Sequence, residues 1–160
     1  MKILIVEDEW KTLKGLSNLI AELGGEYEIA GQARSGEEGI RMAMELRPDI
    51  IITDIRMNGM TGLEMMKALN EEKLACRYII LSGYAEFQYA KEAISLGSMD
   101  YLLKPITKEI LEESLRKVRT AIEEEAQNIR TSSMDMEQIL ERALFMQGFS
   151  GSKFEAEWKK

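Results

Sequence analysis

Residues 50–59, IIITDIRMNG, constrain this chain more than any other stretch. Four strand-favouring residues (Ile50, Ile51, Ile52 and Thr53) stop at an acid, Asp54, and a turn-forming Asn58-Gly59 follows. An apolar run bounded by turn signals reads as a strand covered on both faces, as strands are inside a parallel sheet. Sheets of that kind place their chemistry at the carboxyl ends of the strands. Asp54 stands at such an end. Taken alone it reads as a turn-starter, and only partners from elsewhere in the chain give it a chemical role.

The surrounding sequence repeats strand and helix five times. Ile3 to Val6 form an apolar run that ends in Glu7, Asp8 and Glu9. Trp10, Leu13, Leu16, Ile20 and Leu23 then recur at helical spacing until Gly24-Gly25 stops them. YEIAGQA reads as a second strand, and Ser35 as the N-cap of a helix with Glu37 and Glu38 in its first turn, running until Pro48. A third helix begins near Thr61-Gly62 and carries Leu63, Met66 and Leu69 on one face. RYIILS (77–82) is a fourth strand, AEFQYAKEAISLG a fourth helix ending at Gly97, and MDYLL (99–103) a fifth strand before Lys104-Pro105. Ile110, Leu111, Leu115, Val118 and Ile122 mark a fifth helix.

Right-handed crossovers lay these helices on both faces of the sheet. The expected fold is therefore α/β, a doubly wound (βα)5 parallel sheet with a C-terminal helical extension; a flavodoxin-like order, 2-1-3-4-5, is one such arrangement and the one considered for this chain. In that order the first and third strands are neighbours, so Glu7 and Asp8 face Asp54 across a crevice.

Three acids in one crevice repel each other unless a cation sits among them. Oxygen ligands without histidine or cysteine select a hard ion, and Mg²⁺ suits one or two carboxylates plus water and phosphate oxygens. Ser82 brings a hydroxyl to the same rim, beside Gly83, and Lys104 brings an ammonium. Carboxylates, a magnesium ion, a hydroxyl and a lysine are what is needed to place a phosphoryl group, with Asp54 as the nucleophile.

Composition removes other chemistries. The chain has no histidine, which excludes Ser-His-Asp and Cys-His catalysis and His-ligated zinc, and its single cysteine, Cys76, can form no intrachain disulfide. A net charge of -7 argues against direct nucleic-acid binding by these residues. No apolar stretch is long enough to span a membrane, and MKILIVEDE reaches acids too soon for a signal peptide, so a cytoplasmic location and no membrane partner are expected. A flavin or nucleotide carrier on a similar fold is disfavoured by the lack of a phosphate-binding glycine loop after the first strand.

ILIVEDE, IIITDIRMNGMTGLE, IILSGY and DYLLKP together resemble the receiver domain of bacterial two-component response regulators, over about residues 2–122. LSGYAEFQYAKEAISLGSMDYLLKP is similar to receivers that precede an AraC-type helix-turn-helix DNA-binding domain. The resemblance implies that Asp54 is phosphorylated by a sensor histidine kinase. It implies that Asp8 and Asp54 ligate Mg²⁺ with the backbone carbonyl of Arg56, and that Glu7 helps through water. Lys104 would contact the phosphoryl oxygens, its bond to Pro105 being cis, while Ser82 and Tyr101 switch; Arg56 and Tyr84 would tune the lifetime of the phosphate. It implies a phosphoacceptor switch that catalyses only its own phosphorylation and dephosphorylation, and a homodimer through helix four, strand five and helix five. Lys91, Glu92, Asp100, Lys108 and Arg116 are candidates for that face.

Two positions depart from the family pattern. Asn58-Gly59 stands where Pro-Gly is common, which frees φ and restores an amide donor. Glu7-Asp8 stands where two aspartates are common, and the longer Glu7 re-aims the water-mediated shell.

Residues 1–124 are read as the receiver, and 125–160 as a linker with an amphipathic helix over 134–147. Met136, Ile139, Leu140, Ala143 and Leu144 mark that helix after a polar hinge at Thr131-Ser132-Ser133. It could fold back on its domain, continue as a linker, or serve dimerisation or signalling. Two functions stay open: the receiver part of a transcription regulator whose DNA-binding domain lies outside these residues, or a stand-alone receiver acting through protein contacts.

Overall fold

The computed structural model describes residues 1–83 and 87–146. Five strands, β1 (Lys2–Val6), β2 (Glu28–Ala33), β3 (Ile50–Asp54), β4 (Arg77–Ser82) and β5 (Ser98–Leu103), alternate with five helices, α1 (Trp10–Glu22), α2 (Gly36–Leu46), α3 (Gly62–Glu71), α4 (Phe87–Ser95) and α5 (Lys108–Met146). The strands pair in parallel, as the alternation implies, and in the order β2-β1-β3-β4-β5. The chain divides into two compact units, Met1–Val118 and Arg119–Lys160.

Sequence explains the central strands directly. All five residues of β3 are buried, because helices cover both faces of the sheet there. Leu4, Val6, Ile51 and Ile80 point to one face, into a cluster with Met65, Met66 and Leu69 from α3. The register sets Val6 beside Thr53 and Asp54 beside Leu81, so Glu7, Asp54 and Ser82 emerge at one edge.

Local chemistry sets the helix ends. Ser35 and Thr61 are extended N-caps whose hydroxyls accept the amides of Glu38 and Glu64, both at 3.1 Å. Gly24 follows α1 in a left-handed conformation, φ 96°. Before Pro48, where right-handed helix is disfavoured, Arg47 turns left-handed at φ 47° and α2 stops.

One expectation is corrected. No hinge interrupts the helix at Thr131-Ser132-Ser133, and α5 is continuous to Met146. No glycine or proline breaks it there, and two hydroxyls are absorbed by the helix itself. Thr131 donates to the Gln127 carbonyl (3.0 Å) and Ser133 to that of Ile129 (2.9 Å). Residue 147 lies outside the described residues.

Gly62 opens α3 against the backbone of β3. A Cβ at this position would collide with the Asp54 carbonyl, while the Gly62 amide donates to the Ile55 carbonyl at 2.9 Å. The contact is with main chain, which cannot turn aside as a side chain could. Gly62→Ala is therefore expected to destabilise the fold by at least the ~1–3 kcal/mol typical of overpacking, measured by urea unfolding.

Candidate functional site

The site lies at the carboxyl ends of β1, β3, β4 and β5. Asp54 ends β3, and its carboxylate is held at both oxygens. Oδ1 accepts the Ile55 amide at 2.8 Å, and Oδ2 accepts the Lys104 ammonium at 2.7 Å. Lys104 also donates to Glu7 Oε2 at 3.0 Å, so one ammonium bridges acids from two strands. Glu7 is buried, only 1% exposed, and its other oxygen accepts the Glu9 amide at 3.2 Å. Carboxylate oxygens of Glu7, Asp8 and Asp54 all lie within 4.8 Å of one another.

Asp8 is held differently. Its Oδ2 accepts the backbone amide of Asn58 at 3.1 Å, a donor that proline at this position would lack. Its carbonyl accepts Arg34, whose guanidinium also lies 6.0 Å over the exposed ring of Trp10.

Lys104 arrives at the end of β5 through a cis bond to Pro105, as the resemblance implied. Its amide donates to the Ser82 carbonyl at 2.8 Å, which ties the ends of β4 and β5 together. Ser82 is buried, and Tyr101 is half-buried against the core cluster. Arg56 follows on the β3–α3 loop, its guanidinium 5.5 Å from the ring centre of Tyr89 in α4. Tyr84 lies outside the described residues. Of the surface candidates, Lys91, Glu92 and Arg116 are exposed. Asp100 accepts its neighbour's amide (Tyr101, 2.9 Å), and Lys108 reaches Glu22 at 3.8 Å.

Sequence reasoning named the acids and the lysine and left out Arg34, Tyr89 and the acceptor of the Asn58 amide. The restored donor at position 58 was a visible signal. Its partner, fifty residues away in sequence, was not.

Burial raises the Glu7 carboxyl to about 7, and the nearby Asp54 charge adds to this against the opposing bond from Lys104. Burial alone would lower the Lys104 ammonium, but its bonds to Asp54 and Glu7 outweigh that and hold it above its ordinary value. The arrangement is a set of anionic oxygens around one cation, a geometry suited to placing and neutralising a phosphoryl group.

Fold and site together describe a five-stranded parallel α/β domain with an acidic crevice bridged by a lysine, and comparison with known proteins gives the class its name. Residues 3–116 match the response regulator receiver domain, and the chain belongs to that family. It is 37% identical over 117 residues to the transcriptional regulatory protein YesN of Bacillus subtilis, covering 73% of this chain and 32% of that protein. It is 35% identical over 131 residues to the transcriptional regulatory protein HptR of Staphylococcus aureus, covering 81% and 51%. The chain thus spans about a third to a half of these relatives. Among solved structures, it is similar to the receiver domain of the response regulator AraT from Geobacillus stearothermophilus, with a TM-score of 0.71, 38% identity and coverage of 78% and 97%. Among the described residues, no helix is long and apolar enough to cross a membrane.

Glu7 makes the stability of the metal-free protein pH-dependent. Its folded pKa lies above its unfolded value of 4.5, so its contribution is fully present below pH 4.5 and is lost as pH rises through about 7. The loss is on the order of 3 kcal/mol. Urea unfolding in a chelator at pH 5 and pH 8 should show this decline in the wild type and a flatter profile in Glu7→Gln. Parallel profiles would contradict the assignment.

Proposed function

We propose that Asp54 takes a phosphoryl group from a phosphohistidine of a sensor histidine kinase in a Mg²⁺-dependent reaction. The observation that supports this most is the convergence of Lys104 on Asp54 and Glu7, with Asp8 beside them. An Asp54 oxygen attacks phosphorus, the P–N bond breaks with its electron pair leaving on the imidazole, and an acyl phosphate forms. Lys104, now on Oδ2, is placed to follow the charge onto the phosphoryl oxygens.

The residues fit the ion. An all-oxygen set of carboxylates without histidine or cysteine suits a hard cation such as Mg²⁺, and carboxylate oxygens of Glu7, Asp8 and Asp54 converge to within 4.8 Å. Asp8 and Asp54 would be direct ligands with the Arg56 carbonyl, and Glu7 would act through water. When bound, Mg²⁺ neutralises charge on the transferring group.

The chain acts as a switch on its own phosphate rather than as an enzyme with a separate substrate. Phosphorylation adds about -1.5 to -2 charges. Ser82 and Tyr101 would answer it and alter the face formed by α4, β5 and the start of α5, through which two copies pair. Arg56, stacked on Tyr89, would tune how readily water reaches the phosphate. The relatives' names support transcription as the output, with DNA contacted by sequence outside these residues.

Asp54→Asn should retain Mg²⁺ binding through Asp8 yet take up no acid-labile phosphate from a small phosphodonor. Labelling at the wild-type level would sink the assignment. The Asn58 amide should matter to the ion as well, because it is a donor that holds Asp8 against repulsion from Glu7 and Asp54. Titration calorimetry should find Mg²⁺ affinity weakened roughly three- to tenfold in Asn58→Pro, which loses the donor. Asn58→Ala keeps it and should match the wild type; equal affinities in all three would remove the amide from this role.

A further inference from the structure

Three consecutive acids, Glu7, Asp8 and Glu9, join β1 to α1, and mutual repulsion drives their carboxylates apart. The turn itself restrains Asp8 little. Glu9 is the N-cap of α1, but its side chain caps no amide of the helix and accepts the Thr12 hydroxyl instead, at 2.9 Å. The Glu9 amide donates back to Glu7 and passes Asp8 by. Asp8 is gripped from two other elements. The Asn58 amide holds its carboxylate and Arg34 Nη2 donates to its carbonyl, both at 3.1 Å.

Arg34 is anchored on both sides of that bond. It follows Ala33, the last residue of β2, whose carbonyl accepts the Glu7 amide at 3.0 Å, so it starts beside the acidic turn. Its own amide donates to Glu38 Oε2 at 3.1 Å, and Ser35 accepts the Glu38 amide, which ties its backbone to the start of α2. Its guanidinium lies over the ring of Trp10, the first residue of α1. That indole is 55% exposed and adds little to the core. What it offers is a flat face that restricts a planar cation.

We infer that Arg34, steadied by Trp10, is a positioning residue for Asp8, holding its main chain so that its carboxylate stays in the acidic crevice. This rests on the proposed Mg²⁺-dependent role of the site. Arg34 acts through Asp8 and needs no contact with the ion or the phosphoryl group. Its charge and its hydrogen bond work in opposite directions. A cation repels a nearby divalent ion, so losing the charge alone tightens Mg²⁺ binding. Losing the hold on Asp8 weakens it, as loss of a ligand's supporting partners does. The sign of the change therefore separates position from charge.

Titration calorimetry of the full chain with Mg²⁺ tests this. Arg34→Ala should bind the ion roughly three- to tenfold more weakly than the wild type. Trp10→Ala should weaken it about twofold, and the double variant no more than Arg34→Ala alone, since Trp10 acts through Arg34. With a small phosphodonor, Arg34→Ala should need proportionally more Mg²⁺ for half-maximal phosphate uptake and reach the wild-type rate at saturation. Urea midpoints in a chelator should stay close to that of the wild type, because Arg34 is exposed. Affinity in Arg34→Ala equal to or tighter than the wild type, losses that multiply in the double variant, or a loss matched by general destabilisation would each overturn the inference. A wild type that binds no Mg²⁺ would overturn both this and the proposed function. One that binds Mg²⁺ but takes up no phosphate would remove the phosphoacceptor reading alone, and the affinities would still decide the role of Arg34.

Discussion

One ammonium group holds the functional edge of this domain together. At about 4 Å, two carboxylates in a partly buried site repel by roughly 4 kcal/mol. Glu7 and Asp54 are brought to the same edge by neighbouring strands, and Lys104 sits between them at 3.0 and 2.7 Å. Glu7 still registers the cost of its burial, with a carboxyl raised to about 7. The same lysine anchors its backbone to the Ser82 carbonyl at 2.8 Å, so the bridge also fixes where β5 ends relative to β4. A cation thus bridges the two acids at the rim, and one of its partners is the Asp54 oxygen beside the proposed phosphorylation.

The strand order makes that bridge possible. In β2-β1-β3-β4-β5, β1 lies beside β3 and β5 follows β4, so residues 7, 54, 82 and 104 share one rim. A purely local reading could not have joined residues ninety-seven positions apart, such as Glu7 and Lys104. What joined them on paper was the rule that parallel strands present their carboxyl ends together.

Much of this was legible because it rests on chemistry within a few residues. The buried run of β3, the Ser35 cap, the start of α3 near Thr61-Gly62 and the glycine after α1 each announce themselves in sequence, and each sits where it was expected. Asp54, Asp8, Glu7 and Lys104 were named from strand ends in the same way. What escaped depends on main-chain approach or on distant partners. Gly62 looked like the start of a helix, and nothing local says that β3 passes against its α-carbon. The Asn58 amide was visible as a donor without a visible acceptor. The expected hinge at 131–133 failed for the opposite reason. Polar residues suggest a break, but hydroxyls that bond back to the preceding turn leave a helix intact.

The two cations nearest Asp54 in sequence and in space face different ways, and this bears on how a charge placed there would be felt. Lys104 connects the acceptor to β4 through the Ser82 carbonyl, while Arg56 connects the acceptor loop to α4 through the Tyr89 ring. A phosphoryl group on Asp54 would compete for both cations at once, since charge-assisted bonds to phosphate oxygens exceed a cation–π contact in strength. Drawing Arg56 inward would release Tyr89, and drawing Lys104 onto the phosphate would free an oxygen of Glu7. The first change reaches α4, and the second reaches the end of β1 beside the site. Under the proposed phosphorylation of Asp54, a local electrostatic event would thereby act on a discrete packing arrangement, which is what a two-state switch requires.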